Sequence, residues 1–174
     1  VSKKSGHAIE ASRRAIEIGT AGEHIVCADL ILAGYRASIA AQGLPYDVIA
    51  DINGWVLRIA VKSTLRATKR PEREGARICY QFCATRTKRD SKGKTSARRY
   101  TPADADIVAF VGLDKRCVAY VALTADARLT SWHVQPPGEQ RAELDRLGRR
   151  NGQNKKHFED FPLAAALAAL GSRP

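Results

Sequence analysis

The chain is short of acid. Its 174 residues hold 18 Asp and Glu against 29 Lys and Arg, a formal charge of +11 at neutral pH. So large an excess raises the potential around the whole molecule and favours polyanionic partners. Aromatic residues are sparse, at 6%, and few interleave with the basic ones, which disfavours single-strand recognition by base stacking. No run of about 18 apolar residues occurs, so no segment is expected to span a bilayer and no membrane partner is expected. The start, Val1-Ser2-Lys3-Lys4, is not followed by an apolar signal core. The missing methionine there is read as processing or trimming and carries no argument. Only four cysteines are present: Cys27, Cys79, Cys83 and Cys117. Cys79 and Cys83 have no second tight pair to complete a zinc site. Each cysteine sits in an apolar-looking segment, so all four read as small buried hydrophobes in a reducing cytoplasm. Helix-turn-helix and zinc-finger patterns, a serine-type triad and internal repeats are all lacking.

What remains is ordinary for a globular protein: 44% apolar and 27% charged residues, in a length that buries a core without disulfides. The pattern divides the chain into a basic N-terminal arm or extra helix over 1–16, a core over 17–135 and a helical extension over 136–174. A helix carries Ile25, Val26, Leu30 and Ile31 on one stripe and stops at Gly34. Thr20 and Glu23 have the spacing of a capping box, although the apolar 16–19 stretch allows an earlier start. Strands are expected over 36–41, 46–50, 55–63, 77–85, 106–111 and 117–123, with Asn53-Gly54 as a tight hairpin turn. Helices are expected over 138–148 and, begun by Pro162, over 163–170. Helix, then strands, then helices gives an α/β or α+β domain with a mixed central β-sheet flanked by helices.

The chemistry concentrates between Glu23 and Thr64. One carboxylate, Glu23, lies on the first helix. A second opens a strand in Tyr46-Asp47-Val48-Ile49-Ala50-Asp51. After Asn53-Gly54 comes Ile59-Ala60-Val61-Lys62-Ser63-Thr64. Pairing across the hairpin brings Asp47 to the strand face shared by Ala60 and Lys62. Two acids and a lysine suit metal-assisted phosphodiester hydrolysis. Carboxylates hold a hard ion such as Mg²⁺ against a phosphate, and the lysine orients water or stabilises developing charge.

With these motifs in this order, the chain resembles the PD-(D/E)XK, or restriction-endonuclease-like, nuclease superfamily. Within it the likeness is to archaeal-type Holliday junction resolvases and related small intron-encoded endonucleases. It is good over residues 19–64 and weaker from Tyr100 to Tyr120. The resemblance implies a DNA endonuclease with catalytic residues Glu23, Asp47 and Lys62. Glu23 and Asp47 would help bind Mg²⁺, for which Mn²⁺ would substitute. It also implies a homodimer or higher homo-oligomer, since two strands are commonly cut symmetrically. One position departs from the pattern. The family places Glu, Asp or sometimes Gln two residues before the lysine, and this chain has Ala60. Three readings follow: the site is inactivated and the protein only binds DNA; another residue, from Gln81, Gln42, Glu17 or Asp51, supplies the oxygen; or water fills the place and activity is weak.

Taken singly, each residue has a plainer role. Glu23 caps Thr20's helix, Asp47 holds a turn, Lys62 is a surface lysine, and Asp104 and Asp106 cap a turn. His24 is a surface residue, and His133 and His157 form no metal spacing. The joint order of the three site residues favours the nuclease. Twelve Lys and Arg follow between Arg66 and Arg99. The nearly apolar-free stretch 85–100 is expected to be a mobile basic loop meeting DNA phosphates. Lys69, Arg70, Arg86, Lys88, Arg89, Lys92 and Lys94 are the candidate contacts with branched or duplex DNA, and Arg149 to Lys156 is a second candidate segment.

Overall fold

A computed structural model describes residues 3–70, 77–89, 95–138 and 156–171, with the backbone alone at 3–9, 70, 77, 88, 89 and 95. Helix α1 runs unbroken over Lys3–Leu32. Residues 3–16 therefore continue the site helix, and Thr20 lies in mid-helix, where it caps nothing. Gly34, at φ 90°, ends the helix: its N–H donates to Ile31 O, and the Tyr35 N–H reaches back to Leu30 O at 3.0 Å.

Five strands form the central sheet: β1 (Arg36–Ile39), β2 (Val48–Ile52), β3 (Trp55–Thr64), β8 (Ile107–Gly112) and β9 (Cys117–Ala122), in the order β1-β2-β3-β8-β9. β3 and β8 are parallel, and the other three pairs are antiparallel. The sheet is mixed and helix-flanked, as the sequence predicts. Asn53 and Gly54, at φ 54° and 84°, make the β2–β3 turn that needs two left-handed residues.

Alternation along β3 sorts its side chains between two cores. Leu57, Ile59 and Val61 face α1, with Val26 and Leu30 of the helix and with Val48 and Ala50 of β2. The second helix, α2 (Leu163–Leu170), covers the same face over β9. Ala60 faces the other way, into a cluster with Tyr80, Phe82, Phe110 and Trp132. There Phe110 and Trp132 stack at 4.2 Å between ring centroids, a geometry that adds about 0.5–1.5 kcal/mol beyond area burial. β8 is buried along all six residues because it is covered on both faces.

Among the described residues, the long crossover from β3 to β8 contributes four strands and one more follows β9; of these the sequence signals only the strand expected over 77–85. β4 (Thr68–Arg70), β5 (Arg77–Cys83) and β10 (Ser131–Val134) form a second, three-stranded sheet, ordered β10-β5-β4. β6 (Thr85–Arg89) and β7 (Thr95–Arg99) form a hairpin, with Arg86 opposite Arg98 and Lys88 opposite Ser96. This corrects the expectation of a mobile loop over 85–100. The segment has almost no apolar residues to signal a strand, and its pairing is secured by ion pairs at its base. Cys83 is exposed, which corrects its reading as a buried hydrophobe; Cys27 and Cys79 are buried and Cys117 is intermediate. The helix expected over 138–148 and most of the segment 149–156 lie outside the described residues. No helix among the described residues is long and apolar enough to cross a membrane.

Candidate active site

Asp47 stands where β2 parts from β3. The last ladder pair is Val48 with Ile59. Beyond it the Asp47 N–H donates to Ile59 O, and Ala40 N–H donates to Asp47 O, each at 2.9 Å. The next rung is made by a side chain: Val61 N–H donates to Asp47 Oδ2 at 2.7 Å. From there to Thr64, β3 is paired to β8 on one side and has lost β2 on the other. A notch opens along that edge, with one Asp47 carboxylate oxygen already committed to the backbone.

Helix α1 closes on the same edge. Gly22 packs against Ser63 and Val61 so tightly that a β-carbon there would overlap Ser63 Oγ. The missing side chain at Gly22 lets the helix backbone reach the strand, and it delivers the next residue, Glu23, to the notch. Ser63 Oγ is buried and finds no hydrogen-bond partner among the described residues. Further along the helix, Tyr120 Oη of β9 donates to Asp29 Oδ2 at 2.6 Å. Burial and that bond push the phenol far above its ordinary range.

The electrostatics fit a shared site. Burial raises the Glu23 pKa, and the negative charge of Asp47 raises it further, against a smaller lowering by His24. Burial also raises Asp47, opposed by the Val61 N–H and by the positive charge of Lys62. Both acids therefore lie above the ordinary carboxylate range, chiefly because they are desolvated. Asp47 is thus the common neighbour: its charge acts on Glu23, and the Lys62 charge acts on it. Among the described residues, no group of three or more His, Cys, Asp or Glu side chains is placed to hold a metal ion. Glu23 and Asp47 would offer two carboxylates, a donor set that would suit an ion such as Mg²⁺ that keeps several waters and takes phosphate oxygens for the rest.

Ala60 is fully buried in the aromatic cluster, so its face is filled with hydrocarbon. The four candidate replacements stand elsewhere. Asp51 Oδ1 accepts the Gly54 N–H at 3.0 Å at the turn end of β2. Glu17 is exposed and paired with Arg13 at 3.1 Å. Gln81 is exposed on β5 between the inward-facing Tyr80 and Phe82. Gln42 is exposed in the turn after β1. His24 is exposed, as expected of a surface residue.

Three groups near the site have no clear signature in the sequence. Tyr100 places its ring under the Lys62 ammonium, 5.1 Å from centroid to Nζ. Asp104 is buried and does more than cap a turn. It accepts the Thr101 N–H and hydroxyl, both guanidinium NH groups of Arg98 and one from Arg86, which together hold its carboxyl far below the usual range. Asp106, also buried, takes the Arg58 Nε and Nη2 at 3.1 and 3.0 Å, joining β3 to the loop before β8. The only signal for these acids is an Asp-Ala-Asp run ahead of an apolar strand.

Of the candidate DNA contacts, Lys69 is exposed on β4, and Arg86 on β6 is committed to Asp104 at 2.9 Å. Arg70, Lys88 and Arg89 are placed by backbone on β4 and β6. Lys92 and Lys94 lie outside the described residues.

Comparison with known proteins agrees with this architecture. A family profile described as PD-(D/E)XK endonuclease matches residues 15–142. The solved structure of a bacterial homing endonuclease, I-Ssp6803I, superposes with a TM-score of 0.57 at 15% identity. The match covers 90% of this chain and 97% of that one, and at such identity it speaks for the fold. No curated protein sequence matches the chain.

Proposed function

This chain belongs to the PD-(D/E)XK endonuclease family, and on that premise we propose that it is a metal-dependent DNA endonuclease with its active site at Glu23, Asp47 and Lys62. The observation that carries the reading is the notch itself. Asp47 caps the open edge of β3 through Val61 N–H, Glu23 arrives on α1, and Lys62 stands on the same strand.

In this reading Glu23 and the second oxygen of Asp47 would hold a divalent ion, Mg²⁺ or Mn²⁺, and such an ion would supply Lewis-acid chemistry for phosphodiester hydrolysis. The Val61 N–H fixes the Asp47 carboxylate, so that only one of its oxygens faces the notch. Lys62 orients the water and offsets the negative charge that develops on the phosphoryl oxygens. Exposed Lys69 and the basic hairpin β6–β7, with Arg70, Arg86, Lys88, Arg89, Lys92 and Lys94, meet the DNA backbone. The fold shared with a homing endonuclease supports a site-specific duplex substrate, and the sequence likeness to junction resolvases supports a four-way junction. Two-strand cutting calls for a homodimer or higher homo-oligomer.

A second reading rests on Ala60. Its burial among aromatic rings leaves the site one protein oxygen short, which supports a DNA-binding protein of the same fold with impaired cleavage. One experiment decides: supercoiled plasmid and a synthetic four-way junction are incubated with the protein and Mg²⁺ or Mn²⁺, beside Lys62→Ala. Cleavage that needs metal and Lys62 establishes the endonuclease and identifies its DNA. Retained DNA binding without cleavage in either metal overturns it in favour of the second reading.

A further inference from the structure

Lys62 is half-buried, and among the described residues its ammonium makes no ion pair and no hydrogen bond. A four-carbon stem ending in an unpaired charge has many rotamers, so something else must aim it. The group in place is the Tyr100 ring, 5.1 Å from Nζ. Tyr100 is only 7% exposed and packs in the aromatic cluster. Its backbone is clamped on both sides. Arg98, two residues earlier, donates to Asp104 at 2.6 and 2.5 Å. Thr101, the next residue, donates its N–H and hydroxyl to Asp104 Oδ2 at 3.0 and 2.9 Å. A ring so held cannot follow a wandering lysine. Its negative face attracts the ammonium and fixes the side from which that charge is held. Asp47 and Cys83 are the acidic groups whose ionisation responds to the Lys62 charge.

We propose that Tyr100 is a positioning residue for the reaction, its clamped ring face holding the Lys62 ammonium in the attitude that catalysis needs. The proposal rests on the nuclease reading of Lys62. It also gives the ion pairs at the base of the hairpin a second role, because the contacts that anchor the β6–β7 arm also immobilise the ring under the lysine.

The test compares the parent chain with Tyr100→Phe, Tyr100→Leu and Lys62→Ala in single-turnover DNA cleavage, DNA affinity and thermal melting. NMR of the Lys62 ε-methylene provides a readout independent of activity. Tyr100→Phe keeps the ring face and cleaves at the parent rate. Tyr100→Leu cuts about tenfold more slowly, the factor an ordinary cation–π contact supplies, with DNA affinity unchanged. The ε-methylene resonances, shifted upfield by the ring in the parent and Tyr100→Phe, return to ordinary positions in Tyr100→Leu. Equal rates for Leu and Tyr overturn the proposal. So does a Phe variant as slow as Leu, which would assign the role to the hydroxyl, and so does an unshifted ε-methylene in the parent. A parent chain that never cleaves overturns the nuclease reading and the positioning role with it; a persisting ring shift then shows that the contact survives the failure of that reading.

Discussion

Gly22 of α1 and Ser63 of β3 touch so closely that a β-carbon on Gly22 would overlap Ser63 Oγ and come within 2.8 Å of Ser63 Cβ. This contact sets how near Glu23 comes to the notch. Gly22→Ala must push the helix from the strand, and overpacking of this kind costs about 1–3 kcal/mol. The variant is expected to melt earlier and to lose most of its cleavage, since Glu23 moves with the helix. Ser63→Gly removes the obstructing atoms. The Gly22→Ala/Ser63→Gly pair should recover part of both losses, and a double-mutant cycle that is purely additive would refute the contact.

The acids of the notch should trade stability against metal. Folding raises the pKa of both Glu23 and Asp47, so the folded state favours their protonated forms. Their contribution to stability is full below the unfolded carboxylate values and is lost as pH rises through the raised folded values. At pH 7 without metal, Glu23→Gln and Asp47→Asn should each melt about 1–3 °C higher than the parent. That gain should vanish near pH 4. Mg²⁺ should raise the melting temperature of the parent and of neither variant. Cleavage should fall on the acid side at a pH above that of ordinary carboxylates.

Ala60 offers no room for the acid the family pattern expects. It is fully buried among aromatic rings. Ala60→Glu forces a carboxylate into hydrocarbon, with a destabilisation of about 2–4 kcal/mol after the group neutralises or the cluster rearranges. The expected result is a protein that melts well below the parent and cleaves no faster. A stable Ala60→Glu protein with higher activity would show that the rings yield and that the position still faces the metal.

DNA affinity should fall steeply with salt, because most proposed contacts are to phosphates. Lys69→Ala, at an exposed site on β4, should reduce the slope of log affinity against log salt by about 1. Asp104→Ala acts differently. It releases Arg86 and Arg98 from the carboxylate and should lower the melting temperature by several degrees while loosening hydrogen-exchange protection across β6 and β7. A slope unchanged by both substitutions would place the DNA elsewhere.

Much of this is legible in the residues. Strand alternation, the Asn53-Gly54 turn and the Gly34 stop depend on nearest neighbours, and the six expected strands and the helix over 163–170 are present within a few residues of their expected bounds, whereas the first helix begins well before the Thr20 capping signal. That Asp47 meets the Val61 end of β3 can be read from order and spacing because a tight hairpin leaves few ways to pair two strands. The pairing of 85–89 with 95–99 is not legible. Its Thr, Ser, Lys and Arg residues give no apolar period, and the acid that anchors it, Asp104, follows the hairpin in the chain.

The sequence by itself determined the mixed α/β fold, the net positive charge, and the order and spacing of Glu23, Asp47 and Lys62. Tertiary structure alone decided which atoms meet. Asp47 acts as a ladder acceptor for Val61, Gly22 yields space to Ser63, Ala60 turns into an aromatic core, and Tyr100 slides under Lys62. Local propensity and periodicity act over a few residues, whereas these contacts arise where strands part and layers stack, between segments that share no sequence signal.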